Sequence, residues 1–199
     1  MQNETIAAFD FDGTLSKRDT FIPFALFVVG PWCWLKGFAS LIPSIAGFLM
    51  RQITRQELKE RTIEVFLGGL AYENLQNEGK EFAVEIVPKL LKRKALKQLS
   101  WHQEQGHRVV LVSASPEVYL IPWAEMMGID HVCASRLELD ANGRVTGKLN
   151  GMNCRGAEKV RRLQELLGKE KTYELYAYGD SRGDKEMLAF ADHPFFRKI

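Results

Sequence analysis

The residues whose types suggest chemistry lie where short apolar segments end. Asp10 and Asp12 follow the apolar segment 6–9, and Gly13 comes directly after them. A short apolar segment that ends at a turn signal is typical of a strand buried on both faces, and in open α/β sheets ligands bind beyond the carboxyl ends of the strands. Side chains two residues apart on an extended chain point the same way, so both carboxylates would face one site. Two such acids would attract a cation.

Two further apolar segments end in polar residues. Segment 109–112 ends at Ser113, and segment 173–178 ends at Gly179-Asp180, with Asp184 four residues later. An isolated Asp-x-Asp-Gly would more often form a surface turn. Three strands that direct polar ends toward the same edge of a sheet instead indicate a shared site.

Four features in this order resemble the signature of the haloacid dehalogenase superfamily: DxDGT, a strand ending in Ser or Thr, a Lys, and GDxxxD. The resemblance extends from Asp10 to Asp184. It implies a Mg²⁺-dependent phosphomonoester hydrolase that acts through an aspartyl-phosphate. Alternating strands and helices outside residues 17–88 also predict this superfamily's α/β fold, a doubly wound parallel sheet with an inserted helical cap.

The resemblance assigns a role to each acid. Asp10 would be the nucleophile and a metal ligand, and Asp12 would act as general acid, then base, with its backbone carbonyl on the metal. Asp180 would complete the metal site, and Asp184 would orient these ligands or the lysine. The residues predicted to bind the substrate phosphate are Gly13, Thr14, Ser113, Ala114 and Lys159.

The phosphate-binding cation has two candidates in the sequence. Lys159 is the preferred one, but Arg155 lies four residues earlier and competes in this alignment. His102, His107, His131 and His193 lack the spacing of metal ligands, so no histidine-based catalytic triad is predicted.

Length and composition are those of a compact enzyme. The chain has 199 residues, 46% of them hydrophobic, and a formal net charge of +2, which gives no indication of nucleic-acid binding. Its three cysteines lack CxxC spacing and favour reduced thiols. The N-terminus has no basic segment typical of a signal peptide. We therefore expect a cytoplasmic protein.

The segment 21–50 is unusually apolar. Its prolines and glycines divide it into apolar pieces of about a dozen residues, shorter than the ~20 that span a bilayer as a helix. We predict a helical hairpin that contacts the inner face of the cytoplasmic membrane peripherally; burial against protein, within the chain or in an oligomer, stays open. This hairpin would belong to a cap at 17–88, inserted into a catalytic core formed by 1–16 and 89–199.

Two local patterns predict where elements begin and turn. Thr54 with Glu57 three residues later predicts a capping box at the start of a cap helix. The segment 137–149 predicts a β-hairpin with Asn142-Gly143 in its turn.

The substrate is predicted from the positions at which this chain differs from the phosphoserine phosphatases that it otherwise resembles. Phosphoserine phosphatases carry Glu where this chain has Asp19, a possible specificity residue, and their cap lacks a comparable apolar segment. The segments 19–21 and 153–159 look more like the branch that includes phosphatidylglycerophosphatase C, which implies a phospholipid headgroup phosphate such as phosphatidylglycerophosphate. The alternatives are a small soluble phosphomonoester such as phosphoserine, or a noncatalytic membrane-associated or oligomeric interaction module.

Overall fold

A five-stranded parallel sheet forms the centre of the fold. The computed structural model describes residues 4–199. The strands are β1 (Glu4–Phe9), β2 (Arg108–Pro116), β3 (His131–Ser135), β4 (Leu137–Leu139), β5 (Val145–Leu149), β6 (Tyr173–Gly179) and β7 (His193–Phe196). The central sheet has the order β3-β2-β1-β6-β7, with every neighbouring pair parallel. The predicted parallel sheet is therefore confirmed.

Helices cover both faces of this sheet. They are α1 (Phe21–Leu49), α2 (Arg55–Leu67), α3 (Tyr72–Glu85), α4 (Val87–Leu90), α5 (Arg93–Glu104), α6 (Glu117–Met126), α7 (Ala157–Leu167) and α8 (Lys185–Phe190). Along β1, Ala7 and Phe9 join the core shared with α1, α2, α3, α5 and α6, whereas Ile6 and Ala8 join the core shared with α7 and α8. Successive side chains of a strand point to opposite faces, so an apolar strand must be covered on both.

The inserted helices leave the sheet and return to it at one place. The backbone N–H of Lys17 donates to the carbonyl of Leu90 at 2.8 Å, and that of Lys92 donates to Leu15 at 2.9 Å. Helix α2 begins at the predicted capping box, in which the Thr54 and Glu57 side chains each accept from the other's backbone N–H. Paired entry and exit segments hold the cap at a fixed position over the end of β1.

Helix α1 differs from the predicted hairpin of pieces of about a dozen residues. The backbone leaves the helical region at Gly30 (φ 74°, ψ 168°), and the helix continues from there to Leu49 through Pro43. Its second part packs along α2, since a Cβ added at Gly37 would lie 2.6 Å from the Phe66 ring and Ser44 accepts from Arg61 at 3.1 Å. Gly37 permits this close packing, so beyond Gly30 the glycines and Pro43 do not divide the helix as the sequence pattern suggested.

Much of α1 remains outside the core. The helix has 29 residues, and by length and composition it could span a membrane. Only 11% of its apolar 18-residue window is buried within the protein. Trp32 is 78% exposed and Leu49 is 75% exposed. An apolar helix that packed inside a protein would be largely buried.

The predicted β-hairpin at 137–149 forms a separate two-stranded antiparallel sheet of β4 and β5. Gly143 adopts a positive φ of 71° in its turn. The hairpin contacts the cap, because Val145 exchanges backbone hydrogen bonds with Gly69 and Leu70 at 2.8 and 3.0 Å. These contacts connect the core to the far end of α2.

Candidate active site

A cavity of about 470 Å³ lies beyond the carboxyl ends of β1, β2 and β6. The start of α1 and one side of α2 form its opposite wall, through Phe21, Ile22, Leu58 and Thr62. This volume suits a small ligand with a polar group at one end. The cavity therefore lies between the strands that carry the predicted motifs and the inserted helices.

Asp10 lies at the bottom of this cavity beside a buried ammonium. Lys159 Nζ, on the first turn of α7, donates to Asp10 Oδ1 at 2.6 Å, to Asp184 Oδ1 at 2.6 Å and to the carbonyl of Val112 at 2.8 Å. Burial raises the pKa of Asp10 to about 6, although the charge of Lys159 opposes this shift. Asp10 is thus largely ionised at neutral pH.

The Lys159 contacts distinguish the two candidate cations. The Lys159 side chain is 2% exposed and is held by both carboxylates, which raise its pKa despite the cost of burial. Arg155 lies farther out, against Gly183, where an added Cβ would be 2.5 Å from the guanidinium carbon. Of the two candidate cations, Lys159 is the one that contacts Asp10, whereas Arg155 lines the wall of the cavity.

Three carboxylates converge next to Lys159. Ligand oxygens of Asp10, Asp180 and Asp184 lie within 4.8 Å of one another. Burial and then the nearby charge of Asp184 raise the pKa of Asp180, whereas the contacts with Lys159 outweigh burial and lower that of Asp184. One ammonium against three carboxylates leaves an excess of negative charge, and an all-oxygen ligand set suits a hard cation such as Mg²⁺. The residues present therefore fit a divalent metal ion.

Asp12 has a different environment from Asp10. Its Oδ1 accepts from the backbone N–H and the hydroxyl of Thr20 at 2.8 and 2.6 Å, and its Oδ2 accepts from the Ser115 hydroxyl. Burial raises the pKa of Asp12 to about 7, and the charge of Asp19 adds to the shift. A carboxyl group with a pKa near neutrality is able both to donate and to accept a proton at physiological pH.

The predicted phosphate-binding residues divide into two groups. Gly13, Ala114 and Lys159 line the cavity. Thr14 is instead buried and donates to Asp10 Oδ2 at 3.1 Å, and Ser113 is buried and accepts from the backbone N–H of Ser115 at 3.1 Å. The structure thus puts Thr14 and Ser113 behind the cavity surface, where they support Asp10 and the Ser115 backbone.

Gly13 and Asp19 lie in the segment between β1 and α1 that carries Asp10 and Asp12. Gly13 has a φ of 78°, and a Cβ there would overlap the carboxylate of Asp180, so this position requires glycine. Asp19, the predicted specificity residue, lines the cavity and also accepts from the backbone N–H of Ile22 at 3.0 Å. Its carboxylate therefore helps to start α1 as well as facing the cavity.

The sequence motifs did not predict the cap residues that reach the site. Lys59 of α2 donates to the carbonyl of Ala114 and to Asn153 Oδ1, the latter at 3.0 Å. Burial lowers the pKa of Lys59 to about 8. Lys59 belongs to no spaced motif, and the capping box at the start of α2 was the available signal for its placement. Thr20 lies in the segment 19–21 that carries part of the resemblance, but the sequence pattern assigned it no role beside Asp12.

Comparison with known proteins gives a consistent result. The family model of haloacid dehalogenase-like hydrolases matches residues 7–189. Protein CicA of Caulobacter vibrioides is 36% identical over 192 residues, which are 96% of this chain and 85% of CicA. A Bordetella pertussis crystal structure superposes with a TM-score of 0.82 at 23% identity, covering 97% of this chain and 89% of that one. A substrate-bound phosphoserine phosphatase gives 0.65 at 17% identity, covering 98% and 87%.

The chain therefore belongs to the haloacid dehalogenase-like hydrolases. The predicted class of enzyme within that family, a phosphatase, is confirmed. The solved structures share the fold of this chain. Because their sequence identities are low, the substrate is inferred from the residues of this chain itself.

Proposed function

We propose that this protein is a Mg²⁺-dependent phosphatase that hydrolyses the phosphomonoester of a lipid headgroup, such as that of phosphatidylglycerophosphate, at the cytoplasmic face of a membrane. The observation that carries the chemistry is the difference in surroundings between two neighbouring acids. Asp10 accepts from the buried ammonium of Lys159, whereas Asp12 accepts from Thr20 and Ser115, and burial raises its pKa to about 7.

Each acid supports one part of the reaction. An oxygen of Asp10 attacks phosphorus and forms an aspartyl-phosphate, while the ester P–O bond breaks and Asp12 gives its proton to the leaving oxygen. Asp12 then takes a proton from water as the water attacks phosphorus, and Asp10 leaves as a carboxylate. Mg²⁺, held by Asp10, Asp180 and the backbone carbonyl of Asp12, would neutralise the phosphate oxygens. Asp184 keeps Lys159 in place.

The lipid substrate is supported by the position of α1. Its first residues, Phe21 and Ile22, line the cavity, and its exposed apolar side begins directly beyond them. Lys17 and Arg18 lie at the same edge, where they would attract an anionic membrane surface. A helix lying at the interface would bury its apolar side in the bilayer while the headgroup phosphate reaches Asp10.

A vesicle experiment tests this proposal. We expect the wild-type protein to bind anionic vesicles and to hydrolyse phosphatidylglycerophosphate in them faster than glycerol phosphate in solution. Trp32→Glu combined with Leu35→Glu, on the exposed side of α1, should lower vesicle binding and lipid hydrolysis about tenfold or more. Hydrolysis of soluble p-nitrophenyl phosphate should be retained.

The matched control combines Leu139→Glu on β4 with Met126→Glu at the end of α6, which places the same two charges at exposed apolar positions outside α1. It should leave vesicle binding intact. A wild-type protein that neither sediments with vesicles nor prefers the lipid over phosphoserine or glycerol phosphate would contradict the lipid substrate. The soluble phosphatase would then be the better description.

A further inference from the structure

Besides Lys17 and Arg18 at the cavity edge, two arginines line the cavity and are not paired with any acid in the described residues. Arg55, the first residue of α2, and Arg155, in the loop before α7, both line the cavity. Within residues 4–199, neither takes part in a salt bridge. One arginine comes from the cap and the other from the core, so the cavity is lined by one arginine from each.

The acids of the cavity already have partners. Asp10 and Asp184 bind Lys159, Asp12 binds Thr20 and Ser115, and Asp19 binds the start of α1. Asp180 belongs to the cluster of three carboxylates that fits a metal ion. The positive charge of the two arginines is therefore not neutralised by these carboxylates.

Arg55 and Arg155 line the same cavity and carry like charges. Partial burial lowers the pKa of Arg55, and the charge of Arg155 lowers it further. Each side chain has a neighbour within the protein: Arg155 lies against the backbone of Gly183, and the Arg55 guanidinium lies 5.2 Å from the centroid of the Phe48 ring. Two like charges held near each other cost free energy that an anion between them would remove.

This pair of charges is separate from the one that binds the reacting phosphate. Lys159 Nζ makes three contacts at 2.6–2.8 Å at the bottom of the cavity, and Lys59 is engaged with Ala114 and Asn153. With Lys17 and Arg18 at the edge proposed to face the membrane, Arg55 and Arg155 are the remaining cavity cations for a part of the substrate other than the group attached to Asp10.

We infer that Arg55 and Arg155 bind a second phosphate of the substrate, one that is not hydrolysed. The inference rests on the proposed phosphatase function and narrows its substrates to compounds with two phosphate groups. A phosphate has enough oxygens to accept paired hydrogen bonds from two guanidinium forks, which a single carboxylate does less well.

Matched soluble substrates test this inference without a membrane. Glycerol 1-phosphate and glycerol 1,3-bisphosphate differ only in the second phosphate, and 3-phosphoglycerate carries a carboxylate there. With Mg²⁺ present, we expect kcat/KM of the wild-type enzyme to be about tenfold or more higher for the bisphosphate than for the other two, chiefly through KM.

Substitutions then test whether the preference for the bisphosphate depends on the two arginines. Arg55→Gln and Arg155→Gln should each reduce this preference, and the double variant should bring the ratio close to one. Arg155→Lys, which keeps the charge without the fork, should give an intermediate ratio. The control Arg93→Gln removes an exposed arginine of α5 that is not part of the cavity lining and should keep the wild-type ratio.

Binding to the Asp10→Asn variant separates this inference from the proposed function. Calorimetry should show the same preference for the bisphosphate, and Arg155→Gln in that background should remove it. Equal affinities for the three compounds, or a preference that survives loss of both arginines, overturns the inference. If the wild-type enzyme hydrolyses none of the compounds, the phosphatase function fails, and the calorimetric ratio still decides the role of the arginines.

Discussion

At the scale of single residues, Lys159 has the most demanding position in the protein. Its ammonium is buried between Asp10 and Asp184. Removing one member of a buried ionic group leaves the other charges without compensation, which costs more than the intact group contributes. The same residue thus stabilises the fold and sets the charge of the proposed nucleophile.

Lys159→Met should therefore lower the free energy of unfolding by about 3–5 kcal/mol and abolish phosphatase activity. Urea denaturation followed by circular dichroism measures the first effect. Added Mg²⁺ should restore part of the lost stability in this variant, because the cation would neutralise the unpaired carboxylates. Lys94→Met, on the exposed side of α5, is the control and should change stability little; an equal loss in both variants would count against this role of Lys159.

His102 gives the fold a dependence on pH outside the catalytic site. It is buried, its Nε2 lies 2.9 Å from the Tyr178 hydroxyl and its Nδ1 lies 2.7 Å from Nδ1 of His107. Burial, together with His107, lowers its pKa to about 4. The rings of Phe9, Trp101 and Tyr176 surround it. His102 is therefore neutral in the folded protein at pH values where the unfolded chain protonates it.

The free energy of unfolding should fall as the pH is lowered, because His102 of the unfolded chain binds a proton at a higher pH than His102 of the folded protein does. The contribution of neutral His102 to stability is fully present above its unfolded pKa of about 6.5 and is lost as pH falls toward 4. Between pH 8 and pH 5, the wild-type protein should lose about 2 kcal/mol of unfolding free energy more than His102→Gln does. Parallel pH profiles of the two proteins in urea denaturation would contradict this assignment.

The residues of the site were predictable where they belong to spaced motifs. Asp10 and Asp180 directly follow β1 and β6, Asp12 and Asp184 come two and four residues later, and parallel strands bring their carboxyl ends to one edge. Lys59 and Arg55 come from a cap helix whose orientation depends on packing against α1 and the β4–β5 hairpin. Local spacing does not determine that packing, so these residues were found only in the structure.

At the scale of elements, the contact between α3 and α6 joins the cap to the core. Gly79 of α3 is buried against the backbone of Val118, and an added Cβ would lie 2.9 Å from its carbonyl carbon and closer still to its oxygen. A backbone atom does not move aside as a flexible side chain does. Glycine is therefore required here by packing, although it disfavours the helix itself.

Gly79→Ala should lower the free energy of unfolding by about 1–3 kcal/mol, because the overlap outweighs a gain in helix propensity of up to about 1 kcal/mol. Thermal or urea denaturation checks this. The control Asn77→Ala, at an exposed position of the same helix, should leave stability unchanged or raise it slightly. A Gly79→Ala protein as stable as this control would show that α3 does not approach α6 so closely.

Element types were easier to predict than their packing. The capping box predicted the start of α2, and Asn142-Gly143 predicted the hairpin turn. The division of 21–50 at each proline and glycine was wrong beyond Gly30, since Pro43 is accommodated within the helix and Gly37 permits contact with Phe66. Proline and glycine restrict the backbone locally, but neighbouring helices decide whether the helix continues.

At the scale of the whole molecule, one cavity brings the separate features together. The sheet supplies the acids, the cap supplies Lys59 and Arg55, and the apolar side of α1 begins at the cavity edge. This arrangement supports a substrate with a phosphate at one end, a second anion in the middle and an apolar part outside. The superfamily resemblance predicted the chemistry, whereas the substrate proposal depends on the cap.

The most direct measurement is the detection of phosphate on Asp10 during turnover. The enzyme is mixed with a phosphomonoester and Mg²⁺, quenched in acid within the first turnovers and treated with borohydride, which reduces an acyl-phosphate to an alcohol. Peptide mass spectrometry should then find homoserine in place of Asp10 in the wild-type protein and nowhere in Asp10→Asn. Phosphate release by an enzyme whose Asp10 stays unmodified, or modification at another residue, would contradict nucleophilic catalysis by Asp10.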